Sequence, residues 1–85
     1  MTPHPGPGRV LWDAEDGHLV ALDPERGRWI ALEGEEARLF EGLSLGRTPE
    51  ELARERLGEF DAPLETLIRD IEAFREELRQ EGWLR

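Results

Sequence analysis

The 85-residue sequence contains no cysteine, and it also lacks lysine, tyrosine and asparagine. Without cysteine there is no disulfide framework, no thiolate metal site and no thiol nucleophile. It has no apolar run long enough to span a bilayer. The N-terminus has neither the basic region nor the apolar run of a signal peptide, so we expect a cytoplasmic domain.

Positive charge is also scarce. Eleven arginines are the only basic residues apart from two histidines. The chain has 20 acidic residues, so its formal net charge is -9. Nucleic acids and anionic membranes attract basic surfaces, so neither is an expected partner. The balance fits a neutral or basic partner, or one held by backbone hydrogen bonds, and the surplus acid also favours solubility.

Sets of residues with catalytic chemistry are missing as well. Ser44 is the only serine, and it lacks the GxSxG context that activates a nucleophile. No glycine-rich phosphate loop occurs, and no histidine or acidic cluster has metal-ligand spacing. We therefore expect a protein that is not an enzyme and that needs no cofactor or metal.

The first half of the chain predicts strands. Proline and glycine crowd residues 1–8, which we expect to be a disordered tail before one domain spanning residues 9–85. Alternating apolar stretches separated by turn signals predict an antiparallel meander of three strands. These strands are expected at residues 9–14, 18–22 and 28–32.

The third predicted strand is the centre of the interpretation, because one of its edges should be open. Period-two alternation places Ile30 and Leu32 on one face, taken as the core face, and Trp29 and Ala31 on the outer face. An open strand edge beside a helix can bind an extended peptide.

The second half predicts three helices, so the fold class is α+β and resembles a winged helix-turn-helix. The helices are expected at residues 33–45, at 49–57 after a capping box at Thr48, and from 61 or 62 to about 82. Phe60 is expected to plug the core, and Trp83 and Leu84 to fold back onto the sheet or the first helix. DNA binding is disfavoured because the third helix is acidic overall.

The third helix carries one continuous apolar stripe, interrupted by a charge. Arg75 projects within the stripe, where it either packs its stem and extends its head to water or faces a groove and pairs with a peptide carboxylate. The stripe itself comprises Leu64, Leu67, Ile68, Ile71, Phe74 and Leu78.

Several of these segments together resemble the PqqD family. The resemblance rests on residues 19–23, 27–32 and 37–40 with Leu43 and Gly46, on the box at 48–52, and on Asp70, Ile71, Leu78 and Gly82. It covers the chain from about residue 9 to the end. One departure is Glu33, where the family often has asparagine, so the start of the first helix is less clear than the fold.

The resemblance implies a recognition domain for ribosomally made, modified peptides. In that family, the precursor's leader adds as an antiparallel strand against the third strand, beside the third helix. The short, free-standing form looks most like the leader-binding proteins of lasso peptide clusters, which serve antibiotic biosynthesis and act with a separate cysteine peptidase. The expected peptide-binding residues are Arg28, Trp29, Ile30, Ala31, Leu32, Leu67, Ile68, Ile71, Phe74 and Arg75.

Alternatives stay open within this interpretation. Arg28 and Arg75 are expected to contact acidic groups on the leader, whereas any single apolar member is better interpreted as plain core, because helix stripes exist first to be buried. Trp29 could touch the peptidase or the precursor, or could simply be a cross-strand partner of Trp12. The chain could also be a PqqD-type peptide chaperone for a radical enzyme in quinone-cofactor biosynthesis, or, as a weaker alternative, a winged-helix transcription regulator.

Overall fold

The computed structural model describes residues 3–59 and 61–85, and within them it has four strands and three helices. The α+β class expected from the sequence is confirmed. The elements are β1 (His4–Pro5), β2 (Leu11–Glu15), β3 (His18–Asp23), β4 (Arg28–Glu33), α1 (Gly34–Ser44), α2 (Pro49–Arg56) and α3 (Leu64–Gln80).

The strands form one antiparallel sheet in the order β1-β2-β3-β4, so β4 lies at an edge. Asp16 and Gly17 join β2 to β3 with φ values of 50° and 78°, the two positive angles of a type I′ turn. Gly27 closes the next turn with φ 65°, and the Asp23 carboxylate accepts a hydrogen bond from the Arg26 backbone N–H at 3.3 Å. Both predicted turns are confirmed.

Strand β1 corrects the expected three-stranded sheet to four strands. His4 pairs with Trp12 and Pro5 with Leu11, and the His4 ring stacks on Trp12 with centroids 4.2 Å apart. The described part of segment 1–8 thus holds a strand and a turn where disorder was expected. Proline is compatible with an outermost strand because its missing N–H is not needed on the open side.

The inner face of the sheet carries Leu19 and Ala21 on β3, which are 1% and 0% exposed. Ile30 and Leu32 lie opposite them on β4 and pack partly buried against the core, as expected. Trp29 is 66% exposed on the outer face, which also confirms its predicted direction.

Helices α1 and α2 begin and end within one residue of the prediction, whereas α3 begins at Leu64 and not at residue 61 or 62, because the extended Pro63 is its N-cap. Thr48 and Glu51 exchange side-chain and backbone hydrogen bonds of 3.0 and 3.1 Å, so the capping box of α2 is present. Glu33 precedes α1 without a side-chain cap, and the Gly34 N–H donates instead to the Gly17 carbonyl at 2.8 Å. The start of α1 is thus held by a backbone hydrogen bond to the β2–β3 turn, and the Glu33 side chain does not cap the helix.

The core lies between the inner sheet face and the helices. Trp83 is 2% exposed, so its predicted return to the fold is confirmed. Phe60, expected to plug the core, lies outside the described residues. The buried apolar set is Val10, Trp12, Leu19, Ala21, Ala37, Phe40, Leu43, Leu52, Ala53, Ile71, Leu78 and Trp83.

In the part of the chain that the structure describes, no helix has the length and apolar character needed to cross a membrane.

Candidate functional site

The open edge of β4 presents a defined set of backbone groups. Successive residues of an antiparallel strand direct their N–H and C=O groups to opposite sides. The Gly34 N–H points toward β3, since it donates to the Gly17 carbonyl at 2.8 Å. The N–H and C=O groups of Trp29, Ala31 and Glu33 therefore point away from β3, toward the side where a further strand could pair.

Apolar side chains on β4 and on α3 are only partly covered. Ile30 and Leu32 on the inner face of β4 are half-buried, and so are Leu67 and Phe74 on α3. Ile71, between them on the α3 stripe, is 5% exposed and belongs to the core beneath. The Arg28 hydrogen bond to the Glu81 carbonyl brings the start of β4 to the end of α3. We therefore group these four half-buried side chains as the β4–α3 groove, a surface suited to apolar side chains of a ligand.

The first residue of β4 fixes the sheet to the end of α3. The Arg28 guanidinium donates from Nε to the Asp23 carboxylate at 3.2 Å, donates to the Glu81 carbonyl, and lies 4.5 Å over the Trp83 ring. Asp23 itself is 4% exposed. Arg28 was predicted to contact acidic groups of a leader. Within this structure its guanidinium already donates to the Asp23 carboxylate and the Glu81 carbonyl, and one of its faces lies over the Trp83 ring. Its geometry suits holding α3 at a fixed distance from β4.

Arg75 is not brought together with the β4 edge. It lines a cavity bounded by the segment after β1, the α1–α2 turn and the C-terminal residues, and no β4 residue lines that cavity. Ile68 lies about 60° around the helix from Ile71, on the same side as Arg75. The predicted α3 residues therefore divide into two flanks on either side of Ile71. One flank carries Leu67 and Phe74, and the other carries Ile68 and Arg75.

The exposed flank of the groove is acidic. Asp70 and Glu77 are exposed and follow Phe74 around α3, about 40° and 60° further from Ile71. Carboxylates at this rim suit a basic group on a ligand, and they disfavour an acidic one. The sequence pattern alone did not separate the two flanks, because it did not show which side of the helix would face β4.

Trp29 lies in a row of exposed apolar side chains on the outer face of the sheet. Its neighbour on β3 is Leu22, which pairs in turn with Leu11 on β2. The three side chains are 66%, 46% and 37% exposed, and Val20 nearby is 44% exposed. Trp12 pairs with Ala21 on the inner face, so the alternative pairing of Trp29 with Trp12 is wrong.

We call this row with Val20 and Ala31 the outer patch. Leu11, Val20 and Leu22 were not predicted as functional residues. The signal that could have identified them is strict alternation on β3, where both alternate sets are apolar, so one set has to face outward.

The described residues contain no group of three or more histidine and acidic side chains placed to hold a metal ion. What the site offers is therefore backbone pairing, an apolar groove and an acidic rim.

Comparison with known proteins identifies the family and the fold. The sequence model of the PqqD family, described as coenzyme PQQ synthesis protein D, matches residues 18–84. No curated protein sequence matches the chain. A solved structure of TbiB1 in complex with the TbiA(beta) leader peptide has a similar fold, with a TM-score of 0.76 over 93% of this chain and 93% of that chain at 24% identity.

Proposed function

The chain belongs to the PqqD family, and from that premise we propose that it binds the leader of a ribosomally made precursor peptide as an added strand on β4. The observation that carries this proposal is the edge position of β4, with the backbone groups of Trp29, Ala31 and Glu33 directed outward. TbiB1, which shares the fold, was solved in complex with a leader peptide. The role is binding rather than catalysis.

Main-chain pairing supplies affinity, and the groove supplies selectivity. In an added strand, alternate side chains point inward, where Ile30, Leu32, Leu67 and Phe74 are half-buried and can cover apolar groups. A basic residue at the helix-side edge of the leader suits the carboxylates that follow Phe74. Arg28 then acts by holding the groove open at one width, not by contacting the leader.

The outward side chains of an added strand would extend the outer patch next to Trp29. Such a patch is continuous with the bound leader, so a docking partner would contact both surfaces together. It therefore suits a partner that must distinguish the leader-bound protein from the free one. We propose that the separate leader peptidase of a lasso peptide pathway docks there and receives the leader. Since precursors are made by ribosomes, this encounter belongs in the cytoplasm.

A second function stays within the same family. The family's description, coenzyme PQQ synthesis protein D, favours a peptide chaperone that serves a radical enzyme in quinone-cofactor biosynthesis. The same strand edge would be used, and only the bound peptide would differ. A winged-helix regulator is disfavoured by the net charge of -9.

Amide hydrogen exchange tests the proposed binding mode residue by residue. In the free protein, the outward amides of Trp29, Ala31 and Glu33 should exchange fast, while those of Ile30 and Leu32, which pair with β3, exchange slowly. Addition of the leader from the precursor encoded beside this chain should slow the three outward amides. Uniform slowing of all β4 amides, or slowing confined to α3, would contradict strand addition.

The same experiment separates the two pathways when it is run with two peptides. Slowing by a lasso precursor leader and not by a quinone-cofactor precursor would assign the lasso pathway. The reverse result would assign the chaperone role, and slowing by neither in a folded sample would contradict both.

A further inference from the structure

Four of the eleven arginines meet around one cavity on the other side of α3 from the groove. The cavity has a volume of about 430 Å³ and is bordered by Pro5–Pro7, the α1–α2 turn and the C-terminal residues. Its cationic lining residues are Arg47, Arg75, Arg79 and Arg85, and no aspartate or glutamate is among its lining residues. In a chain with a net charge of -9, a cavity whose charged side chains are all cationic is a marked departure from the rest of the surface.

The four guanidinium groups differ in whether they already form ion pairs or hydrogen bonds with described residues. Arg47 is paired with Glu55, and Arg79 donates from Nε to the main-chain oxygen of Arg85 at 2.8 Å. Arg75 is half-buried, and within residues 3–59 and 61–85 it has no ion pair and no side-chain hydrogen bond. A partly buried arginine without a partner has donors available for an oxyanion.

A second, independent group in the cavity also lacks a partner. Ser44 lines it at the end of α1, and its hydroxyl oxygen is buried without a hydrogen bond in the described part of the chain. Buried polar atoms in native proteins are normally satisfied, so this hydroxyl is available to a polar group that enters the cavity.

The remaining walls are apolar and include Leu43, Trp83 and Leu84. Free phosphate or acetate would gain nothing from them, whereas a peptide with an acidic side chain beside an apolar one would use both kinds of wall. We infer that this cavity binds a carboxylate side chain of an acidic segment on a partner protein, with Arg75 as its main contact. The inference is independent of the proposed function, because the cavity shares no β4 residue with the groove.

A nuclear magnetic resonance titration of the full chain tests the inference. The probe is the capped tripeptide Glu-Leu-Glu, and its uncharged match is Gln-Leu-Gln. The acidic probe should produce saturable shifts of the Arg75 Nε–H and of the Gly46 amide, with no such shifts from the uncharged probe. Equal shifts from both probes, or acidic-probe shifts spread over all arginines, would overturn the site.

Matched variants separate the cavity from general electrostatics. Arg75→Gln should weaken the acidic probe by roughly tenfold, because a charge-assisted hydrogen bond is lost. Arg69→Gln removes the same charge from an exposed position of α3 and should leave affinity unchanged. Equal losses in the two variants would overturn the inference. Arg75→Lys, which keeps the charge and loses the planar fork, should lie between wild type and Arg75→Gln.

Two further measurements identify the occupant. Inorganic phosphate that binds Arg75 as tightly as the acidic probe would overturn the peptide assignment in favour of a free oxyanion. Self-association that Arg75→Gln abolishes would assign the cavity to a second copy of this chain and would also overturn it. Leader affinity should be the same in wild type and Arg75→Gln, so a failure of the leader proposal and a failure of this site give different results.

Discussion

At the scale of single residues, Arg28 connects three parts of the molecule. It joins the buried Asp23 carboxylate, the Glu81 carbonyl at the end of α3 and the Trp83 ring. We predict that Arg28→Gln lowers the free energy of unfolding by about 2 kcal/mol, because a carboxylate that is 4% exposed loses its closest guanidinium. Urea denaturation measures this change.

The control for Arg28 is Arg69→Gln, an exposed arginine of α3, which should change stability little. If Arg28 also sets the groove width, Arg28→Gln should weaken leader binding even under conditions where the variant is fully folded. Unchanged leader affinity in such a sample would contradict the holding role.

Gly42 of α1 lies against the Leu52 side chain of α2. A Cβ atom at this position would lie 2.6 Å from Leu52 Cδ2, in a buried part of the core. We predict that Gly42→Ala destabilises the protein by about 1–3 kcal/mol through overpacking. Gly58→Ala, where a Cβ would meet nothing within 4 Å, is the matched control. Thermal denaturation of both variants should show a lower Tm for Gly42→Ala alone.

The sequence predicted whether a side chain is buried or exposed where the local pattern alone determines it. The exposure of Trp29 and the burial of Trp83 follow from strand alternation and from apolar surface at a chain end. The position of Arg75 did not follow, since a helical stripe gives relative angles but not which flank meets the sheet. The outer patch was missed for a similar reason, because Leu19/Ala21 and Val20/Leu22 are both apolar sets.

At the scale of elements, β4 is the element on which the proposed peptide binding depends. Ala31→Pro removes an outward N–H while sparing the N–H groups that pair with β3. We predict a loss of leader affinity of at least tenfold, measured by fluorescence anisotropy. Ala31→Val, which keeps the N–H, is the control and should bind normally. Equal affinity of the two variants would show that the leader does not pair with this edge.

The capping box of α2 predicts a pH dependence. The Glu51 carboxylate accepts a hydrogen bond from the Thr48 backbone N–H, and this bond is the largest cause that lowers the pKa of Glu51 below its ordinary value of 4.5. A hydrogen bond with the Thr48 side chain is the next largest cause that lowers this pKa. A carboxyl group with a lowered pKa stabilises the fold above its unfolded pKa, and this contribution is lost as pH falls through the folded pKa. Wild type should therefore be more stable than Glu51→Gln at pH 7.

The difference between wild type and Glu51→Gln should shrink as the pH falls below 4.5 and disappear once Glu51 is protonated in the folded state. Denaturation curves across pH 2–7 measure it. Glu72→Gln on exposed α3 serves as the control for general charge effects. A difference that stays constant with pH would contradict the role of the carboxylate charge.

Element boundaries were predictable where local chemistry fixes them. The box at Thr48 and the Asp16–Gly17 turn are set by side-chain caps and positive φ angles within a few residues. Strand β1 was not predicted, because it has only two residues and one of them is Pro5, a residue typical of turns and loops. A two-residue strand shows no alternation that a sequence pattern could reveal.

At the scale of the whole molecule, the two sides of α3 have opposite character. The β4–α3 groove has an open strand edge, apolar walls and a carboxylate rim, whereas the cavity beyond α3 is lined by arginines. The two surfaces share no lining residue on β4, so a leader and an acidic partner segment could be bound together. The net charge of -9 disfavours nucleic acids as partners of either surface.

The measurement that tests the central claim most directly is an anisotropy titration of the labelled leader at low and at high salt. Strand addition depends on backbone hydrogen bonds and apolar contacts, so binding should saturate and change little with salt. A scrambled leader of the same composition is the matched control and should bind far more weakly. Absence of saturable binding in a folded sample, or binding that collapses as salt rises, would contradict leader capture at the β4 edge.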